Sequence, residues 1–378
     1  MTHSSNELFI GLMSGTSIDG IDAVLIDFSD NGLRLIARHT EPFPPLLRYR
    51  LRQLAAKGSI DALGRLDAQL GELFASAVLN LLDTSGVSAK RVTAIGSHGQ
   101  TIRHRPDETP AFTLQIGDPN RIAARTGITT VADFRRRDIA VGGEGAPLVP
   151  AFHAWFFQHD KEDRVILNIG GIANITILPA RSPKRIVGFD TGPGNTLLDL
   201  WSRRHLKKAY DAAGDWGASG AADERLLQKM LEDPYFSLKP PKSTGPEHFN
   251  LAWLETALER LDPPPSPADI QATLTRLTAA TISDAIKRHA PAKSKVLVCG
   301  GGVHNQRILA LLGDSLPDSV VESTARFGLD PDWVEAAAFA WLARQALCAR
   351  PGNIPQVTGA KEQVVLGGLY PGRKGWEI

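Results

Sequence analysis

Asp190 opens the run DTGPGN, a carboxylate followed by Thr191, Gly192, Gly194 and Asn195. Small residues in such a turn let backbone N–H groups approach phosphate oxygens, and a carboxylate beside them can take a proton from a nucleophile in line with the phosphoryl group. General base is therefore the first role for Asp190, with helix capping or magnesium binding open to it as well. A second run, Ser14-Gly15-Thr16-Ser17, puts hydroxyls and a glycine in one tight turn and continues through Ile18, Asp19, Gly20 and Ile21 to Asp22. It has the composition of an anion-binding concavity. Asp19 and Asp22 suit a divalent cation. Two unit charges 4 Å apart repel by about 4 kcal/mol at an effective dielectric of about 20, so a triphosphate facing these carboxylates requires a cation between them. A third turn, Gly300-Gly301-Gly302, precedes Asn305.

Other chemistry-bearing residues are less specific. His98 and His104, in SHGQTIRH with Gln100 and Thr101, lack a third ligand at metal spacing and read as hydrogen-bonding groups. Arg135, Arg136 and Arg137 follow Asp133 and offer a fork for a carboxylate, although at least two of the three are expected on a solvated face. Glu335 either complements the N-terminus of the last long helix or supplies a second carboxylate to the site.

These residues need elements to position them. The stretch FIGLMSGTSIDGIDAVLIDF (Phe9 to Phe28) reads as a hairpin with the second run at its turn, and Leu33 to Ala37 as a third strand. Leucines at helical spacing predict a long helix from Asp61 to Leu82. Val92 to Ile95 is a short strand that delivers Ser97 to Thr101 to a strand end, where open α/β sheets bind their ligands. Ala111 to Ile116 is another strand, with Asp118 capping the helix after it. The glycine- and arginine-rich stretch from Asp133 to Pro150 reads as a loop. Val165 to Ile177 repeats the opening pattern with Gly170 and Gly171 at its turn, so the chain consists of two related halves. Ile186 to Phe189 is a third strand ending at Asp190. Helices are expected at Leu251 to Leu261, Pro267 to His289 and Asp332 to Ala349, strands at Lys295 to Cys299 and Gln363 to Leu366, and an irregular loop over PPKSTGPEHFN.

Length and composition exclude several classes. At 378 residues two domains are expected. Lys+Arg number 42 against Asp+Glu 41, a formal charge of +1, so no global field draws the protein to nucleic acid or an acidic membrane. Two cysteines without ligand spacing suit a reducing compartment. With no basic leader and no apolar window near the ~18 residues of a membrane span, a cytoplasmic location is expected. GxxxxGK[ST], GxGxxG, HExxH and EF-hand patterns are all absent.

Three glycine turns in this order on a duplicated hairpin framework point to the actin, hexokinase and Hsp70 architecture: an α/β fold of two ribonuclease H-like domains flanking an ATP and substrate cleft. Residues 1–145 with 350–378 would form the substrate domain with the first phosphate loop. Residues 146–349 would carry the second loop, the catalytic aspartate and the adenosine site.

The chain also resembles one family closely, the anhydro-N-acetylmuramic acid kinases of cell-wall recycling. The resemblance runs in order through MSGTSIDGID, SHGQTIRHRP, QIGDP, DFRRRDIAVGGEGAPLVPAFH, NIGGIANIT, GFDTGPGN, DPYFSLKPPKSTG, CGGGVHN, EAAAFAWLA and PGNIPQVTGA. It departs at Tyr210, where relatives often have Phe, and at Pro246, where many have Arg after STG. The resemblance implies an ATP- and Mg2+-dependent kinase that opens the 1,6-anhydro ring with water and phosphorylates O6, and it implies a homodimer. It implies Gly15 to Asp22 as the ATP phosphate loop, Asp190 as base and Glu335 as its companion. The sugar site would draw on Ser14, His98, Gln100, Thr101, Asp133, Arg135 and Arg137. A kinase acting on an ordinary sugar hydroxyl, or an actin-like ATPase or nucleotide-sensing module, are the alternatives.

Overall fold

The computed structural model describes residues 7–15, 17–29, 32–180, 182, 185–259 and 261–373. Thr16 lies outside them, so its part in the phosphate turn is not described. The chain forms two compact units, one of Met1–Phe156 with Trp333–Ile378 and one of Phe157–Asp332.

In the first unit, β1 (Leu8–Ser14), β2 (Gly20–Asp27) and β3 (Arg34–Pro42) form an antiparallel meander. On the other side of β1 lie β4 (Val92–Arg105) and β6 (Thr130–Ala132), both parallel to it, with β5 (Phe112–Ile116) antiparallel to β4. Burial follows position. Every residue of β1 is buried, as a central strand covered on both faces requires, whereas the edge strand β3 alternates exposed and half-buried residues. Helix Ile60–Ser85 packs Leu66, Leu70, Phe74, Val78 and Leu81 into this core, capped at its start by the Ser59 hydroxyl.

The second unit repeats the plan. β7 (Arg164–Ile169), β8 (Ile172–Leu178) and β9 (Val187–Pro193) form the meander, and β10 (Lys295–Cys299) and β11 (Val321–Ser323) extend the sheet parallel to β7. Helix Pro267–His289 buries Leu274, Leu277 and Ile282 against it. Among the described residues the sheets have seven and five strands; in the first, β12 (Gly368–Tyr370) closes the edge beyond β6. The two sheets share one order, meander then parallel strands, so the duplicated α/β fold expected from the repeated hairpins is present.

Several boundaries differ from the sequence reading. The last long helix, Val334–Leu347, belongs to the first unit, not to a domain spanning 146–349. Its small residues find their neighbour in a glycine pair. Gly11 of β1 and Gly96 of β4 are in register, and a Cβ on either would overlap a carbonyl oxygen of this helix, Ala336 or Phe339. The helix backbone lies directly on the sheet there. The final strand is Gly368–Tyr370, not 363–366, and the stretch after Asp133 begins with a helix, Phe134–Ala140.

Candidate active site

In the first unit the turn between β1 and β2 is drawn tight by the Ile18 N–H donating to the Gly15 carbonyl at 3.3 Å. Ile18 is in the left-handed region at φ 58°, which a β-branched residue adopts only under constraint, and its side chain is buried. Burying Ile18 turns the backbone of the loop while Ser17 and Asp19 stay exposed. The Ser14 hydroxyl, buried, reaches both the Gly20 carbonyl and the Gln100 amide oxygen at 2.8 Å, and Gln100 donates from Nε2 to the Gly15 carbonyl at 3.2 Å. Ser14 and Gln100 thus brace the loop from beneath. Thr101 accepts from Gln115 at 3.2 Å.

The cluster Ser97 to Thr101 lies inside a strand, not at a strand end. β4 continues to Arg105 because Gly99, at φ 73°, and shifts in register with β1 and β5 carry the chain through a bulge. His98 is buried there, its ring 4.8 Å from Phe339 of the last helix. Its Nδ1–H donates to the Ser14 carbonyl at 3.2 Å, and its Nε2 accepts from Nε and Nη2 of Arg135 at 3.1 and 3.0 Å. Those partners assign the neutral tautomer protonated on Nδ1. Burial and the adjacent guanidinium push its pKa down to about 3.

The three arginines do not form one fork. They occupy consecutive positions of helix Phe134–Ala140, and neighbours on a helix point about 100° apart. Arg135 turns inward to His98 and to the Gly145 carbonyl at 2.8 Å, Arg136 pairs with Asp133 at 2.7 Å, and Arg137 is exposed. Asp133, left-handed at φ 60°, starts the helix. Glu335 is held against this group by the last helix. Burial pushes its carboxyl up, Arg135 opposes this, and Asp22 adds to it, which places Asp22, Arg135 and Glu335 in one electrostatic cluster. Asp22 accepts from the Thr40 hydroxyl at 2.9 Å, and Asp19 has an exposed side chain.

In the second unit Asp190 lies within β9, which runs on to Pro193, so the carboxylate is carried on a strand and not on the turn after it. A bulge opposite, between Ala173 and Asn174, re-aims the backbone. The loop 240–250 docks on this residue. The Asp190 N–H donates to the Lys242 carbonyl at 3.1 Å, the Asp190 carbonyl accepts from the Tyr235 hydroxyl at 2.7 Å, and the carboxylate Oδ2 accepts from the Thr244 N–H at 3.0 Å. Lys242 closes the arrangement, its ammonium donating to the Tyr235 carbonyl at 3.0 Å and standing 4.4 Å from that ring's centre. The sequence marks KSTG as an irregular loop and as the end of the motif DPYFSLKPPKSTG, with no sign of a contact to Asp190.

Gly194, Asn195 and Thr196 donate their N–H groups to the Gly170 and Gly171 carbonyls at 2.8–3.0 Å, and the Asn195 amide donates to the Ile169 carbonyl at 3.0 Å. The third turn joins them. A Cβ on Gly300 or Gly302 would overlap Asn168 or Ile169 at the end of β7, and Gly301 faces open space. One glycine-lined corner results. Two predicted side chains are committed to the framework, the Thr191 hydroxyl to the Ala173 carbonyl at 3.1 Å and Asn305 to the N-cap of helix Gln306–Ser315.

A duplicated sheet with a braced glycine loop in one half, and a strand-borne carboxylate beside a glycine corner in the other, has the build of a phosphoryl-transfer enzyme. Residues 7–372 match the family described as anhydro-N-acetylmuramic acid kinase. The protein of that name from Xanthomonas campestris pv. campestris (strain 8004) is 54% identical over 380 residues, 98% of this chain and 99% of its own. That from Coxiella burnetii (strain Dugway 5J108-111) is 50% identical over 372 residues, 97% and 98% of the two chains. The chain belongs to the anhydro-N-acetylmuramic acid kinase family. Among solved structures, component A of the Acidaminococcus fermentans (R)-2-hydroxyglutaryl-CoA dehydratase aligns with TM-score 0.49 at 11% identity, over 89% of this chain and 98% of that one.

Proposed function

We propose that the chain uses ATP and water to convert 1,6-anhydro-N-acetylmuramic acid into N-acetylmuramate 6-phosphate and ADP, in murein recycling. The family match supports the substrate, and the three-point hold on Asp190 carries the chemistry. A glycosidase needs an acid for the leaving oxygen and a base for water. Here the departing O6 is captured by the γ-phosphoryl group, so one base suffices. Asp190 takes a proton from the water that attacks the anomeric carbon. The Thr244 N–H fixes the rotation of its carboxylate, so little reorientation remains to be done in the transition state.

In the first unit, Gly15 to Asp22 would receive ATP phosphates, and the Arg135 and Glu335 cluster would meet the sugar. In the second, the corner of Gly170, Gly171, Gly192, Gly194 and Gly300 to Gly302 would hold the nucleotide. Asp19 and Asp22 suit magnesium, being oxygen donors of the kind it takes one or two at a time beside phosphates. Among the described residues no group of three or more His, Cys, Asp or Glu clusters to hold a metal by itself. Bound there, Mg2+ would neutralise charge on the phosphates. A homodimer and a cytoplasmic location complete the proposal; no helix among the described residues is long and apolar enough to cross a membrane.

Incubating the protein with ATP, magnesium and the anhydro-sugar in 18O-labelled water tests it. The product must gain one phosphate and one water, with the label on the anomeric carbon. A phosphorylated sugar lacking the label would instead be the product of a kinase acting on an ordinary hydroxyl.

A further inference from the structure

Arg135 is a half-buried cation whose hydrogen bonds all go to neutral groups. Its Nε and Nη2 donate to His98 and its Nη1 to the Gly145 carbonyl, and among the described residues it forms no ion pair. The two carboxylates that act on it, Glu335 and Asp138, do so through space. Asp138 is committed elsewhere, accepting from Asn353 and Thr358 at 2.8 Å and from the Gly145 N–H at 2.8 Å. A guanidinium has five N–H groups, so the three contacts leave two unengaged. Desolvating a charge is costly unless a counter-charge repays it, and a structural arginine in such a place usually faces a carboxylate. Burial pulls Arg135 down to about 10, leaving it protonated at neutral pH.

The acceptor is the informative part. A carboxylate at position 98 would hold the guanidinium equally well but would cancel its charge. A neutral imidazole orients the guanidinium and leaves the charge available. His98 can do this because the Ser14 carbonyl takes its Nδ1–H, which leaves Nε2 as the acceptor. We propose that His98 is a positioning residue whose neutral acceptor holds Arg135 so that the guanidinium keeps its charge for an anionic group of a ligand, a carboxylate or a phosphate. This rests on the proposed function, which supplies one source of each kind: the sugar's lactyl carboxylate and the ATP phosphates.

His98→Gln and His98→Glu share one shape and both offer Arg135 an oxygen acceptor, neutral in the first and charged in the second; only Gln keeps an N–H donor for the Ser14 carbonyl, a loss that both ligands would feel alike. The full-length protein and both variants are titrated calorimetrically with the anhydro-sugar, with the same sugar lacking its lactyl ether, and with ATP and magnesium. His98→Gln is expected to bind within about threefold of the parent. His98→Glu is expected to lose tenfold or more toward one anionic ligand. Loss confined to the lactyl sugar, with no change for the sugar lacking it, assigns the carboxylate; loss confined to ATP assigns a phosphate. Variants that bind both ligands alike, or lose both equally, overturn the proposal, since a merely structural histidine would not distinguish charge. If His98→Glu does not fold, Arg135→Gln decides: it must reproduce the ligand-selective loss, and unchanged binding of both ligands is fatal. Binding is read without turnover, so a failed 18O experiment beside a charge-selective loss would sink the reaction and leave the arginine site standing.

Discussion

At the scale of single residues, the proposed reaction rests on Asp190 and the groups that hold it. Asp190→Asn keeps the shape and removes the base, so ATP should still bind while phosphosugar formation falls by the 10²–10⁴-fold that a positioned base typically supplies; calorimetry beside a product assay reads both, and near-normal turnover removes Asp190 from the chemistry. The hold on the carboxylate is separately testable through its donor. Thr244→Pro deletes the N–H that reaches Oδ2, a charge-assisted bond worth about 1.5–3 kcal/mol. kcat should drop roughly 10–100-fold with the sugar KM nearly unchanged. A rise in KM alone would make the loop a binding element and not an aligner of the base.

Glu335 gives a stability prediction. Burial raises its folded pKa above the ordinary carboxylate value of 4.5. The half-buried carboxyl is therefore no burden below pH 4.5, and stability is lost as pH rises through the raised value, where the charge must be carried in a partly desolvated place. Glu335→Gln should leave Tm unchanged near pH 4 and raise it above neutrality. A variant less stable than the parent at pH 8 would show that Arg135 more than compensates the charge.

At the scale of elements, the first unit's site depends on how closely helix Val334–Leu347 lies on β1 and β4. Gly96→Ala sets a methyl against the Phe339 carbonyl, a backbone atom that cannot swing aside. It should destabilise the protein by about 3 kcal/mol, the upper part of the usual overpacking range, and displace Glu335 and the Phe339 ring that packs beside His98. Gly64→Ala is the control. Gly64 lies inside helix Ile60–Ser85 with nothing within 4 Å of its would-be Cβ, so alanine should stabilise by about 0.5–1 kcal/mol. Equal effects in urea unfolding would mean that helix propensity, and not the close approach, governs both sites.

At the scale of the whole molecule, acid should be the weak flank. His98 and His153 are both buried, with pKa values pushed down to about 3 from 6.5. A depressed folded pKa contributes stability that is complete above 6.5 and is lost as pH falls toward the folded value. Between about pH 5.5 and 4 the unfolded chain binds two more protons than the native one, a slope of about 2.7 kcal/mol per pH unit from this pair. Urea midpoints should fall steeply over that window, and His153→Gln should lessen the slope by about half of that. A stability that stays flat from pH 6 to 4 would contradict the buried neutral state of both rings.

The sequence alone determined the repeated hairpin, the glycine turns, the long amphipathic helices and the family, because those rest on local signals: period, turn chemistry and motif order. Asp190 stands out as a candidate base in the same way, since a carboxylate beside glycine and threonine is legible without neighbours. Tertiary structure decided the rest. Which arginine turns inward depended on helix Phe134–Ala140, whose periodicity the three arginines mask, and the last helix joined the first unit because two glycines 85 positions apart in sequence come into register. That KSTG holds Asp190 through one backbone donor and one backbone acceptor, and that His98 faces a cation, left no mark in residue type, because a hydrogen bond between segments tens of residues apart is written only in the packing.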